Sequence, residues 1–250
     1  MNILLVGCYG KLASAIIKAC SGKEDMNIAC GVDLSVKDNP HFPVFTAAND
    51  IPSSMDIDAV IDCSHPSGAV STVRFCKKYK KPLVYATTGL DKEQMNLLHE
   101  LSKHVAVFQS ANMSLGVNLL IKLCKQAATF LGNDFDIEII EKHHNQKIDA
   151  PSGTALKIAD EINQSLNNQM TYVYDRQSKR EKRDKKEIGI HAVRGGNIVG
   201  QHEVIFAGQD ETITISHGAF SKDIFAQGAL RAALFIKDQP AGMYGMNDLL

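Results

Sequence analysis

The segment Glu141-Lys142-His143-His144-Asn145-Gln146-Lys147-Ile148-Asp149-Ala150-Pro151-Ser152-Gly153-Thr154 concentrates more chemistry than any other stretch of the chain. Imidazoles exchange protons near neutral pH, and a lysine in a partly desolvated pocket can be tuned to donate one. His143, His144 and Lys147 are therefore candidates for acid–base work or anion binding. Pro151-Ser152-Gly153-Thr154 leads into the helical pattern Ala155-Leu156-Lys157-Ile158. There, hydroxyls and unpaired N–H groups at a helix N-terminus suit a carboxylate. Taken singly, Ser152–Thr154 would be an ordinary helix cap and each histidine a surface or satisfied core group. Their crowding at one strand-to-helix junction favours a site for a small anion. Successive strand residues point to opposite faces, so His143 and His144 do not share a metal while the strand persists, and no cysteine pair accompanies them. No metal is expected.

A second cluster lies at the N-terminus. Gly7-Cys8-Tyr9-Gly10-Lys11-Leu12-Ala13 stands between a strand pattern and a helix pattern, where a dinucleotide fold needs a tight turn and close backbone approach to pyrophosphate. Ala13 occupies the place of the usual third glycine. Asp33 ends the next strand, 20 residues beyond Ala13, where an acid should bond the adenosine ribose. Ligands in open parallel sheets bind outside the carboxyl ends of strands. That adds Ala86-Thr87-Thr88-Gly89 and Ser110-Ala111-Asn112-Met113 as candidate ribose and nicotinamide loops. Leu34 follows Asp33, so no arginine stands beside it to meet a 2′-phosphate, whereas Lys11 and Lys37 are nearby cations. The residues leave NADH and NADPH both open.

The elements that must position these groups follow from periodicity. Strands at Asn2–Val6, Asn27–Val32, Asp58–Asp62, Pro82–Tyr85 and Val105–Phe108 alternate with helices at Lys11–Cys20, Ser67–Tyr79 and Asp91–Lys103. This is the rhythm of a Rossmann-type, doubly wound parallel sheet. After Asn112 the rhythm changes to a long helix, Leu115–Leu131, a strand, Asp134–His143, and a helix from Thr154 to about Asn167. Ile188–Val193, Glu203–Ala207 and Thr212–His217 alternate apolar and polar residues as strands with one open face do, and Gly208-Gln209-Asp210 reads as a hairpin turn. The expectation is an α/β protein in which residues 1–113, completed by the C-terminal helix at about 222–250, bind dinucleotide. Residues 114–221 would form a second α+β domain with an open mixed sheet for substrate binding and oligomerisation. Asp175–Glu187 holds seven basic and four acidic residues and no apolar side chain, and reads as a solvated loop, with a mobile lid as the alternative.

Composition narrows the classes. In 250 residues with 44% hydrophobic and 22% charged residues and a net charge of −1, a real core is expected, and no global field recruits nucleic acid or an anionic membrane. No apolar run reaches the ~18–20 residues of a membrane span. Cys8, Cys20, Cys30, Cys63, Cys76 and Cys124 form no CxxC pair and read as reduced thiols. MNILLVGCYG passes directly into a strand pattern, which gives the expectation of a cytoplasmic protein.

These motifs resemble the 4-hydroxy-tetrahydrodipicolinate (dihydrodipicolinate) reductases. EKHHNQKIDAPSGTA is similar to the family signature, supported by the ATTG and SANMSLGVN loops, by VRGGNIVGQHEVIFAG and by ISHGAFSKDIFAQGA. The resemblance spans nearly the whole chain. It implies reduction of a small ring dicarboxylate by NADH or NADPH with loss of water, on the diaminopimelate route to lysine. By motif position it implies His143 as proton donor and acceptor, Lys147 as proton donor, and His144, Ser152, Gly153 and Thr154 as substrate ligands. Gly7, Cys8, Tyr9, Gly10, Lys11, Leu12, Asp33, Ala86, Thr87, Thr88, Ser110, Ala111, Asn112 and Met113 match cofactor positions. It also implies a homotetramer associating through the second domain's sheet. Ala86 in place of a usual glycine, Met113 in place of a usual phenylalanine and Leu34 in place of an arginine common in some members bear on cofactor preference. Two rivals remain: a dehydrogenase of an amino-acid semialdehyde, for which Cys63 is the one tempting thiol, and a nucleotide-sensing regulator, which would require His143 and Lys147 to be silent.

Overall fold

A computed structural model describes residues 1–36 and 41–249; Lys37, named above as a possible phosphate partner, lies outside the described residues. Along the chain run β1 (Asn2–Val6), α1 (Lys11–Cys20), β2 (Asn27–Val32), β3 (Val44–Phe45), β4 (Ala59–Asp62), α2 (Ala69–Tyr79), β5 (Leu83–Tyr85), α3 (Lys92–Ser102) and β6 (Ala106–Gln109). These are followed by α4 (Leu115–Leu131), β7 (Asp136–His143), α5 (Gly153–Ser165), β8 (Thr171–Val173), β9 (Glu187–Arg194), β10 (Gly200–Ala207), β11 (Thr212–Ala219), α6 (Asp223–Ile236) and β12 (Gly242–Tyr244). The chain divides into two compact units, Met1–Leu115 with Lys222–Leu250, and Gly116–Ser221.

The first unit is built on a seven-stranded sheet in the order β12-β6-β5-β4-β1-β2-β3, parallel throughout. Its strands are apolar on both faces because helices cover both. Ile3, Leu5, Ile61, Val84 and Phe108 face one layer with Ile16 of α1 and Ala226, Ala229, Leu230, Ala233 and Ile236 of α6. Leu4, Val6, Val60, Leu83, Tyr85 and Val107 face the other, with Val73, Phe75 and Cys76 of α2 and Leu98 and Leu101 of α3. The two-residue alternation along β1 thus feeds two separate cores. Because every strand runs the same way, the segments after β1, β2, β4, β5 and β6 all emerge at one edge of the sheet. Helix α6 approaches closely because Gly228 has no side chain: a Cβ there would overlap the carbonyl oxygen of Met113.

The second unit carries a five-stranded mixed sheet, β11-β10-β7-β9-β8. Strands β7, β9 and β8 are parallel, and β10 and β11 antiparallel. Ile137, Ile139, Ile188, Ile190, Val204 and Phe206 line one face and pack under Val117, Leu120, Ile121 and Cys124 of α4 and Ile158 and Ile162 of α5. Every residue of β11 is at least partly exposed.

Two features differ from the expectation. Strands β3, β8 and β12 are two or three residues long, too short for periodicity to register. The segment around 175–187 is not simply solvated. Arg183, with a side chain only 16% exposed, bonds Glu138 at 3.0 Å, Asp136 at 2.8 Å and the carbonyls of Ile137 and Glu187 at 3.0 and 2.6 Å. Arg176 bridges Glu187 at 2.8 Å and Glu138 at 3.0 Å. Two guanidinium groups therefore staple the segment to the sheet.

Gly228→Ala should destabilise the protein by ~1–3 kcal/mol through overpacking, in spite of alanine's better helix propensity. Equilibrium urea unfolding measures it, and a variant as stable as the parent would show that α6 is free to shift.

Candidate active site

The first unit gathers its candidate residues in a turn plus a set of strand ends. Gly7 has φ 78°, and a Cβ on it would lie 2.7 Å from the Ser64 backbone, so both conformation and space demand glycine. Gly10 N–H closes the turn onto the Gly7 carbonyl at 3.0 Å. Gly10 is also the N-cap of α1 with no side-chain cap, which leaves the helix N-terminus to an anion. The Asp33 carboxylate accepts the Tyr9 N–H at 3.2 Å, tying the end of β2 to the turn. Gly7, Gly10, Asp33, Leu34, Ser64 and His65 help line a cavity of about 370 Å³. Among the described residues no lysine or arginine lines it, and Leu34 is 96% exposed.

A second cavity of about 300 Å³ brings together Lys11 and Leu12 with Ala86, Thr88, Ala111, Asn112 and Met113. Other predicted residues point elsewhere. Cys8 is buried against Gly31, where a Cβ would lie 2.7 Å from its Sγ. Burial pushes its thiol up to about 11, so only its backbone serves the turn. Cys63 is likewise raised to about 12, chiefly by burial, against the reactive thiol that a semialdehyde dehydrogenase needs. Ser110 Oγ donates to the Asn112 carbonyl at 2.8 Å and accepts the Asn112 N–H at 3.2 Å, which shapes its own loop.

Sequence reasoning missed Asp62. It is 0% exposed at the end of β4 and accepts Thr72 Oγ1 at 2.5 Å, Ser64 Oγ at 2.7 Å, Ser64 N at 3.0 Å and Thr87 Oγ1 at 3.3 Å. Thr87 therefore turns inward to Asp62 and holds its loop. The available signal was an acid ending an otherwise apolar strand.

The second unit's candidate residues meet where β7 ends and α5 begins. Glu141, 0% exposed, receives His143 Nδ1 at 2.6 Å and Arg194 Nη1 at 2.8 Å on Oε2. Its Oε1 receives Arg194 Nη2 at 2.7 Å and Ser152 N at 2.9 Å. Burial opposes ionisation of Glu141, but Arg194, His143 and Ser152 together outweigh it and hold the carboxyl below its usual range. Ser152 caps α5 by accepting the Ala155 N–H at 3.2 Å, and its Oγ meets His202 Nε2 at 3.2 Å. Lys147 Nζ lies 2.8 Å from Asp149 Oδ1, and Arg194 Nη2 holds the Asp149 carbonyl at 2.6 Å. Lys147 chiefly, helped by the backbone N–H groups of Asp149 itself and of Gly153, keeps the Asp149 carboxyl low. His143, Ser152 and the Lys147 loop are thus gathered around one carboxylate. Gly153 and Thr154 form the first turn of α5. His144 lies just past β7, half-buried and outside the Glu141 cluster. Arg194 and His202 were missed although VRGG and GQHE hold them, because neither motif states a partner. Among the described residues no group of three or more histidine, cysteine or acidic side chains is placed to hold a metal.

Family models for the N-terminal part of dihydrodipicolinate reductase, over residues 1–113, and for its C-terminal part, over residues 116–250, both match. The chain belongs to the dihydrodipicolinate reductase family. It is 50% identical to the 4-hydroxy-tetrahydrodipicolinate reductase of Clostridium tetani, covering 100% of this chain and 97% of that one. It is 48% identical to the reductase of the same name from Caldanaerobacter subterraneus, covering 100% and 98%. Among solved structures, a dipicolinate-bound dihydrodipicolinate reductase from Paenisporosarcina superposes with a TM-score of 0.83 at 23% identity, over 100% of this chain and 99% of the other. A diaminopimelate dehydrogenase of C. glutamicum shares the broader fold at TM-score 0.56 and 14% identity, over 98% and 92%.

His202 is 4% exposed. Burial, with the neighbouring His143, lowers its pKa to about 4, below the ~6.5 of an unfolded histidine. The unfolded chain therefore takes up this proton first as pH falls. The contribution is complete above about pH 6.5, declines as pH drops towards about 4 and is absent below that. Thermal melts should show the parent losing stability across that window while His202→Gln loses less; parallel losses would refute this role. Asp62→Asn, which sets an amide donor against hydroxyl donors, should weaken dinucleotide binding about tenfold by fluorescence titration, a cost of ~1–3 kcal/mol.

Proposed function

We propose that this protein reduces 4-hydroxy-tetrahydrodipicolinate to tetrahydrodipicolinate, with NADH or NADPH as hydride donor and loss of water, in the diaminopimelate route to lysine. The observation that carries the reading is the cluster of His143, Lys147 and the α5 N-terminus, in a chain alike over its full length to reductases of that name. Asp33 is the ribose acceptor and the Gly7–Leu12 turn the pyrophosphate cradle. Ala86–Thr88 and Ser110–Met113 receive the nicotinamide ribose and ring, with Met113 as a soft apolar cover. The bound reduced nicotinamide supplies the hydride.

Lys147, the Gly153 N–H and the N–H and hydroxyl of Thr154 bind a substrate carboxylate, with His144 as a further ligand. Ser152, whose N–H and hydroxyl are engaged with Glu141, Ala155 and His202, fixes the helix end instead of touching substrate. The Asp149 carboxylate engages Lys147 and the Gly153 N–H, the same kind of pairing that a substrate carboxylate would make with them. The reaction consumes one hydride and one proton and releases one water. His143 at Nε2 and Lys147 at Nζ handle the protons: the ring hydroxyl leaves as water with a proton from one of them, the proton lost from the adjacent ring carbon returns to the protein, and the ring that has accepted hydride is completed by the one proton consumed.

Among the described residues no helix is long and apolar enough to cross a membrane. We infer a cytoplasmic homotetramer joined through the second unit's sheet, supported by the exposure of β11 and of Ile213 and Val193. Light scattering on the purified protein checks the mass.

The test follows reduced-nicotinamide absorbance, with NADH and NADPH separately, on substrate generated in situ from pyruvate and aspartate semialdehyde by the preceding pathway enzyme. Turnover is expected and ranks the two cofactors; no turnover with either, by protein that still binds a reduced nicotinamide, would overturn the reading. His143→Ala and Lys147→Ala should each lose ~10²–10⁴-fold in kcat/KM while binding the dinucleotide as the parent does. A nucleotide sensor would be indifferent to both.

A further inference from the structure

We infer that Glu141 is a positioning residue for His143, whose tautomer and aim it fixes through a fully buried carboxylate. This role rests on the assignment of His143 to acid–base chemistry made above. Glu141 and His143 are two residues apart on β7, so their side chains share one face of the strand. An ionised carboxylate only accepts hydrogen bonds. Its Oε2, 2.6 Å from His143 Nδ1, therefore places the ring proton on Nδ1 and leaves Nε2 to exchange the proton of the reaction. Gly200 of β10 keeps that side open, since a Cβ there would stand 3.1 Å from Nε2.

A carboxylate buried beside an imidazole could simply take its proton, and Arg194 of β9 prevents this. Its guanidinium meets both oxygens of Glu141, at 2.8 and 2.7 Å. The charge on Glu141 is thereby held whether or not His143 is protonated. The fourth bond, from Ser152 N at 2.9 Å, ties the same carboxylate to the first turn of α5. One side chain thus sets the acid–base group and the anion-binding helix end against each other. The charged and titratable groups around His143 are Glu141 on its own strand, Arg194 of β9, His202 of β10, whose ring centroid is 5.3 Å away, and the Lys147–Asp149 pair of the following loop.

Two variants test this role. In Glu141→Gln one oxygen becomes an amide donor, so one of the two bond pairs is turned donor against donor. Glu141→Asp keeps the charge opposite Arg194 and shortens the reach to His143 by one methylene, so it reports on His143 even where the glutamine variant does not fold. Imidazole ¹⁵N shifts should show His143 protonated on Nδ1 in the parent and shifted towards the ordinary mixture in the variants. Turnover should fall on the order of 10²-fold with dinucleotide KM unchanged. In a His143→Ala background the Glu141 substitutions should cost no further kcat, any remaining loss falling on substrate KM through the Ser152 N–H bond. Parental tautomer and turnover in a folded Glu141 variant, or kcat losses that multiply in the double variant, would overturn the positioning role. Parental turnover in His143→Ala alone would instead overturn the assignment of His143.

Discussion

A carboxylate taken wholly out of water must be matched bond for bond, and Glu141 is matched by a guanidinium, an imidazole and a backbone amide. Removing one such partner leaves an uncompensated buried charge, which typically costs several kcal/mol, so these groups hold one another in place. Arg194 comes from β9, parallel neighbour of β7, and also fixes the Asp149 carbonyl in the loop before α5. Ser152 starts α5. The pairing of two strands, the path of the connecting loop and the entry angle of a helix are all conditions for satisfying one side chain, and the proposed catalytic imidazole is part of that bargain.

The first unit solves a like problem with different donors. Asp62 is equally buried but meets two threonine hydroxyls, a serine hydroxyl and a backbone amide, with no cation among these partners. These donors fix the segments after β4 and β5. Close backbone contact does the rest: Gly7 against Ser64, and Gly228 against Met113, bring turn, strand ends and α6 together at distances no side chain would permit. The parallel sheet makes this possible by sending all its carboxyl ends to one edge.

Much of this was legible in the sequence because the signals are periodic or chemical. Runs such as Ile3-Leu4-Leu5-Val6 and the long amphipathic helices gave fold class and most element bounds to within a residue or two. The Gly7–Ala13 turn and Asp33 carry their own physics. What could not be read depends on tertiary pairing. Arg176 and Arg183 sit in a stretch that looks wholly solvent-bound, and only the sheet shows Glu138 waiting for them. Arg194 and His202 are distant in sequence from the residues they serve, and Asp62 is one acid among 28 acidic residues. Cys8 stands in the cofactor motif, yet its side chain belongs to the core.

The central claim is that the junction of β7 and α5 is a carboxylate-binding site served by Lys147. Calorimetric titration of dipicolinate into the dinucleotide-saturated protein and its Lys147→Ala variant addresses it most directly. Saturable binding to the parent, weakened about tenfold or more in the variant, as removal of a charged hydrogen-bond donor predicts, is the expected result. Equal affinity in the two proteins would contradict it.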